Sequence, residues 1–341
     1  MTSRMLSEAR EAPSVAARLL TSDARAFEGL AAALREDPPA SILTVARGSS
    51  DHAAHFLAYL VMSRLGRLVT SLPMSVVTLH HATLHSEGLL AFAFSQSGRS
   101  PDLVEPIASV RAGGARTVAF VNDPTSPLAQ AAQWVFPLHA GEEKSVAATK
   151  SYIAQLVCGA RLVAHWQQDP RLLQALDRLP ADLHSALQRD WSTTFVEALR
   201  EVDRLYVIAR GTGLAVAMEA ALKFKEVCGI QAEAFSGAEV RHGPIGIVDE
   251  GYPLLVFAPP GPAQEGLLEL ARALRAKGAR VLLAAPEGVA GANLPLASST
   301  EADLNPILAI QSFYPAVEAL GHARGRDVDQ PRNLSKVTKT L

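Results

Sequence analysis

Residues 89–102 read LLAFAFSQSGRSPD. An apolar run of strand length gives way to a polar loop, and Pro101 then suits the first turn of a helix. The same grammar extends outward. Ile42–Ala46 (ILTVA) is a strand candidate ending in Arg47-Gly48-Ser49-Ser50, with a helical pattern to about Leu65. After the central stretch come a helix over about Pro101–Ala112, a strand at Arg116–Val121, a short one at Trp134–Leu138 and a long helix over Val146–Trp166. Continuous apolar strands alternating with helices mark a parallel sheet covered on both faces.

The second half repeats the first. Arg47-Gly48-Ser49 returns as Arg210-Gly211-Thr212, and Phe94 and Gly98 as Phe257 and Gly261, each 163 residues on. Arg111–Arg116 returns as Arg275–Arg280, 164 residues on. One offset kept by three elements predicts a duplicated α/β unit: two tandem doubly wound parallel-sheet domains, each a three-layer α/β/α stack. The expected layout is an N-terminal helix over 1–35, domains over 36–180 and 181–325, and a tail over 326–341. The copies differ at one strand end, where Ser95-Gln96-Ser97 is matched by Ala258-Pro259-Pro260. Open α/β sheets bind ligands beyond the carboxyl ends of their strands, so the first copy is the expected ligand site.

The chain has 341 residues, 48% apolar, with 32 Lys+Arg against 34 Asp+Glu. That much apolar sequence excludes global disorder, and the near balance of charge argues against a nucleic-acid partner. There is no apolar stretch of transmembrane length and no signal-peptide pattern at the start, so neither membrane nor export is expected. Two cysteines, Cys158 and Cys228, are too few for a disulfide framework, so a reducing cytoplasm is expected, and neither lies near a second cysteine, so no structural zinc is expected. His80, His81 and His85 cluster, as do His52 and His55, but no converging carboxylate is evident, so no metal is expected.

Ser95, Gln96, Ser97 and Ser100 offer side-chain donors around a tight turn at Gly98, and Ser49 ends the preceding strand's loop. Backbone N–H groups at a helix start suit an anion, and hydroxyls without a lysine suit a sugar monophosphate. No nucleotide-binding glycine motif is present. The same residues also read as a plain turn with Ser100 as helix cap.

ARGSS (46–50), SQSGRSPD (95–102), SVAATKS (145–151), ALKFKEV (221–227), GAEVRHGP (237–244) and DVDQPRNLSKVT (327–338) resemble the sugar isomerase (SIS) domain family. More narrowly, they resemble its tandem module in glucosamine-6-phosphate synthases and stand-alone deaminases. The resemblance implies a phosphate site at Ser49, Ser95, Gln96, Ser97 and Ser100, with the Val146 backbone alongside. It implies that Glu226 moves a proton between C1 and C2, with Lys223 beside it, and that His242 opens the ring. Lys336 would meet the sugar near C1–C2, as a charge or as a Schiff base. Glu219 and Glu239 would play supporting parts, and Arg241 stands where the family often has Lys. No cofactor is implied. A homodimer is, with His242 entering the partner's site. With Thr2 near the start and roughly 40 residues before the first strand, no glutaminase is expected. The expected function is therefore deamination of glucosamine 6-phosphate to fructose 6-phosphate and ammonia. The alternatives are ammonia-dependent synthesis, another phosphosugar isomerisation, or a non-catalytic sugar-phosphate sensor.

Overall fold

Every apolar run singled out in the sequence forms a strand in the computed structural model, which describes residues 2–336. The chain divides into two units. The first comprises Ser14–Glu143, Lys150–Asp177 and the chain from Ser335; the second comprises the chain up to Pro13, Lys144–Thr149 and Arg178–Leu334.

Helices α1 (Arg4–Thr21) and α2 (Ala24–Glu36) open the chain. They replace the single N-terminal helix expected, because Asp23 adopts a left-handed conformation (φ 53°) that a continuing helix does not permit. In the first unit follow β1 (Ile42–Val45), α3 (Ser49–Leu65), β2 (Val69–Ser71), one-turn α4 (Ser75–Thr78) and β3 (Leu90–Ser95). Then come α5 (Pro101–Ala112), β4 (Arg116–Val121), short α6 (Pro127–Ala131), β5 (Trp134–Pro137) and α7 (Lys150–Gln167). The sheet is parallel, in the order β2-β1-β3-β4-β5. Val45 of β1 lies opposite Ala93 of β3, so the loops that follow these two neighbours leave the same end of the sheet. β1 and β3 are buried along their whole length, as strands covered on both faces must be.

Helix α8 (Pro170–Leu187) crosses the division between the units. The second unit continues with α9 (Ser192–Leu199), β6 (Arg204–Ala209) and α10 (Gly213–Lys223), which runs into one π-helical turn, Phe224–Cys228. Next are β7 (Gln231–Ser236), β8 (Pro253–Phe257), α11 (Gln264–Ala276), β9 (Arg280–Pro286), β10 (Leu294–Leu296) and α12 (Asn305–Ala323). Read from β7, the order is β7-β6-β8-β9-β10, strand for strand that of the first unit. Helices α7 and α12 are buried on nearly every face, which fits their low amphipathic contrast.

Two differences from the sequence expectation have local causes. β2, β7 and β10 were not legible as apolar runs, because they are edge strands, two of them largely polar and accessible. The helix expected from Val146 begins only at Lys150, because the Val146 N–H donates to the Asp329 carbonyl (3.2 Å). Asp329 also caps α1, its carboxylate accepting from the N–H groups of Arg4 and Met5, each at 2.9 Å. Glu8 of α1 accepts from the N–H groups of Lys144 and Ser145, which holds the same loop from the other side.

Gly321 of α12 has no space for a side chain. A Cβ there would lie 2.7 Å from Val328 Cγ1 and 3.0 Å from the Val227 carbonyl oxygen. Gly321→Ala is expected to destabilise the protein by about 1–3 kcal/mol through overpacking, read as a lower urea midpoint with unchanged slope.

Candidate active site

The first unit holds a cavity of about 310 Å³ lined by Arg47, Gly48, Ser50, Ser95, Gln96, Ser97, Ser100, Asp102, Leu103 and Lys336. It sits where the loops after β1 and β3 converge. Gly98 is required there. Its φ is +64°, and a Cβ would lie 2.1 Å from the Ser126 hydroxyl oxygen. The Gly98 N–H donates to Ser95 Oγ (2.9 Å), and the Arg99 N–H to Ser97 Oγ (3.3 Å). Each hydroxyl thus uses an acceptor lone pair inside the loop while keeping its own hydrogen to give. Ser100 stands at the N-cap of α5 without a side-chain capping hydrogen bond, and its carbonyl accepts from the Leu103 and Val104 N–H groups.

Several cradle residues were not picked from the sequence. Ser50, rather than Ser49, lines the cavity; Ser49 is the first residue of α3 and half-buried. Arg47 also reaches the cavity, with its Nε 3.0 Å from the buried Asp102 carboxylate. Sequence spacing could not separate adjacent serines, and nothing in the sequence singled out Asp102. Val146 belongs to the other unit, where its N–H is engaged by Asp329.

Lys336 joins the cradle through an unexpected partner. Its Nζ donates to Glu143 Oε2 (3.0 Å), a carboxylate with no exposed side-chain surface. Glu143 also accepts from the Ser151 N–H (3.1 Å) and Ser151 Oγ (2.6 Å) at the start of α7. Nothing in the sequence around Glu143 signalled its burial.

In the second unit, Glu219, Lys223 and Glu226 share one helical stripe. Lys223 Nζ lies 3.0 Å from Glu219 Oε1 and 2.6 Å from Glu226 Oε2. Lys223 and Glu219 are fully buried, whereas Glu226 keeps 18% of its side-chain surface. Burial acts to lower the Lys223 pKa, but the Glu219 and Glu226 carboxylates outweigh it and hold the ammonium above the ordinary lysine value. The π turn ends at Gly229 (φ 63°), whose N–H returns to the Phe224 carbonyl. Glu226 faces a second, polar cavity of about 740 Å³, walled also by Lys225, Arg326, Arg332 and Asn333. Lys225 is exposed and shares that cavity.

His242 is exposed after a short helical turn, its N–H donating to the Glu239 carbonyl (2.8 Å). Glu239 and Arg241 are exposed as well. Gly243 follows with φ 126°, a value open to glycine and strained for other residues.

The loop of the second copy that matches the cradle is closed. Ala258 and Pro260 offer only carbonyls there, and these accept from Gln264 Nε2 (3.1 Å) and Asn305 Nδ2 (3.1 Å). Among the described residues no group of three or more His, Cys, Asp or Glu could hold a metal ion. Nor is any helix long and apolar enough to cross a membrane.

With this geometry in place, comparison with known proteins is direct. The SIS domain matches residues 37–164 and 198–285. The chain belongs to the SIS domain family. The glutamine–fructose-6-phosphate aminotransferase (isomerizing) of Zymomonas mobilis is 33% identical over 97% of this chain, which spans 58% of that protein's length. A solved structure from Silicibacter pomeroyi DSS-3, named as a candidate phosphosugar isomerase, is 42% identical. It has a TM-score of 0.90 and covers 96% of this chain and 100% of its own. The glucosamine-6-phosphate deaminase of Thermotoga maritima shares the fold, with a TM-score of 0.76 at 21% identity over 99% and 100% of the two chains. This SIS-domain chain is thus related to phosphosugar isomerases and to the aminotransferase.

Lys223→Met would leave the buried Glu219 carboxylate without its cation. It is expected to cost about 3–5 kcal/mol, measured by urea denaturation at neutral pH. Because the folded pKa is raised, the stabilisation is complete below the ordinary lysine pKa and is lost only as pH rises through the folded value.

Proposed function

We propose that this SIS-domain protein is an amino-sugar phosphate isomerase that deaminates glucosamine 6-phosphate. The observation that carries the reading is the cradle, in which donor hydroxyls and Arg47 line one cavity with the lysine of the C-terminal segment. Ser50, Ser95, Ser97 and Ser100 would take the phosphate, with the first turn of α5 adding its positive partial charge. Supporting the chemistry, Glu226 is a partly exposed carboxylate oriented by a buried ammonium.

The chemistry proceeds in three steps. His242 moves the O1 proton to the ring oxygen and opens the sugar, as an imidazole with one nitrogen to accept a proton and one to give it can. Glu226 takes the C2 proton as a base and returns it to C1 as an acid, through an enolamine. Water then adds to the C2 imine and ammonia leaves, giving fructose 6-phosphate. The Lys336 ammonium stabilises the developing negative charge. No electron acceptor enters the balance, and the amine itself acidifies C2.

The reverse direction uses the same residues by microscopic reversibility, and the name of the Zymomonas relative favours it as a second reading. The exposure of His242 and of Ile247, the latter 53% exposed, supports a homodimer in which His242 completes the partner's site.

Purified protein supplied with glucosamine 6-phosphate is expected to release ammonia and fructose 6-phosphate in equal amounts; no release at saturating substrate would exclude deamination. Glu226→Gln is expected to lower kcat by about 10²–10⁴-fold, the usual weight of a general acid–base group. Mixing inactive Glu226→Gln with inactive His242→Asn under subunit exchange should restore about a quarter of wild-type activity if sites are shared across a two-fold interface. No restoration would place His242 in its own subunit's site.

A further inference from the structure

Gln155 of α7 is a costly residue where it stands. It is 1% exposed, between neighbours Ala154 and Leu156 that are fully buried. Among the described residues its Oε1 has no hydrogen-bond partner, so an apolar side chain would avoid an unsatisfied acceptor at this position. What the amide gains is a bond to the cradle: Gln155 Nε2 donates to Ser50 Oγ at 2.9 Å. Ser50 lies in the first turn of α3 and lines the cradle.

We infer that Gln155 is a positioning residue for the phosphate site, one that turns the Ser50 hydroxyl hydrogen into the cavity. The inference rests on the reading of the cradle as a phosphate site. A serine hydroxyl has one hydrogen to donate and two lone pairs to accept with. With Gln155 donating from behind, the Ser50 lone pair is occupied and its hydrogen is directed to the open side. Ser95 is arranged in the same way, its Oγ accepting from the Gly98 N–H. Two hydroxyls at the ends of adjacent strands thus each have an amide N–H behind them and the cavity in front. Such donors need no reorganisation when an anion arrives. The Gln155 side chain acts on the ligand only through Ser50.

Calorimetric titration of the full chain with inorganic phosphate and with fructose 6-phosphate tests this. Gln155→Met keeps the volume and removes the donor, and is expected to weaken both ligands by about tenfold, the worth of one directed hydrogen bond. With glucosamine 6-phosphate as substrate, KM rises while kcat holds. In a Ser50→Ala background, Gln155→Met should add nothing. Gln155→Asn withdraws the same amide by one methylene and reports the same loss if the Met variant does not fold. Wild-type affinity in both Gln155 variants would overturn the inference, as would a loss that persists in the Ser50→Ala background or a fall in kcat at constant KM. Failure of the unaltered chain to bind either ligand would overturn the phosphate reading itself, and the inference with it.

Discussion

An ammonium group with no access to water governs the second unit. Lys223 is fully buried, and such a charge persists only if paired and hydrogen-bonded. Glu219 and Glu226 supply both needs from the same helical stripe, and the π turn that follows α10 carries the second of them. Apolar packing keeps water out around the turn. Phe224 lies 5.9 Å from the Phe195 ring and 5.2 Å from the Phe313 ring. Helices α9, α10 and α12 therefore meet around one electrostatic arrangement. Its outermost oxygen atoms belong to the one carboxylate of the three groups that retains accessible surface.

The duplicated frame explains how two identical strand orders come to different uses. In both copies the crevice lies beyond the carboxyl ends of the first and third strands of the unit. In the first, hydroxyls, Arg47 and Lys336 line it as an open cavity. In the second, the start of α12 closes over the proline-containing loop, and Asn305 and Gln264 occupy its carbonyls. A loop that lines an open cavity in one copy is packed in the other without any change of topology. The second copy instead carries its buried ion-paired stripe on α10 and the π turn.

Central strands were legible because burial on both faces leaves a continuous apolar run, and the repeated offset made their kinship visible. β2 and β7 escaped notice because an edge strand need not be apolar. Within the site, donor type was legible but individual atoms were not. Ser49 and Ser50 are adjacent and chemically alike, and only the direction in which α3 leaves the loop separates them. Glu143 and Gln155 were invisible for a deeper reason. Their importance comes from burial, and burial of a polar residue is a property of tertiary packing that no local pattern encodes.

Asp329 has a consequence for the order in which the chain closes on itself. The carboxylate that accepts from the first turn of α1 lies 325 positions downstream of it, and the Asp329 carbonyl also receives the Val146 N–H. Until these segments meet, the first turn keeps only the Ser3 hydroxyl, which accepts from the Leu6 N–H, and the loop before α7 lacks one of its anchors. Long-range closure of this kind comes late in folding, after more local contacts have formed. The segment around Asp329 therefore acts as a latch, closing the first turn of α1 and the loop before α7 in one event.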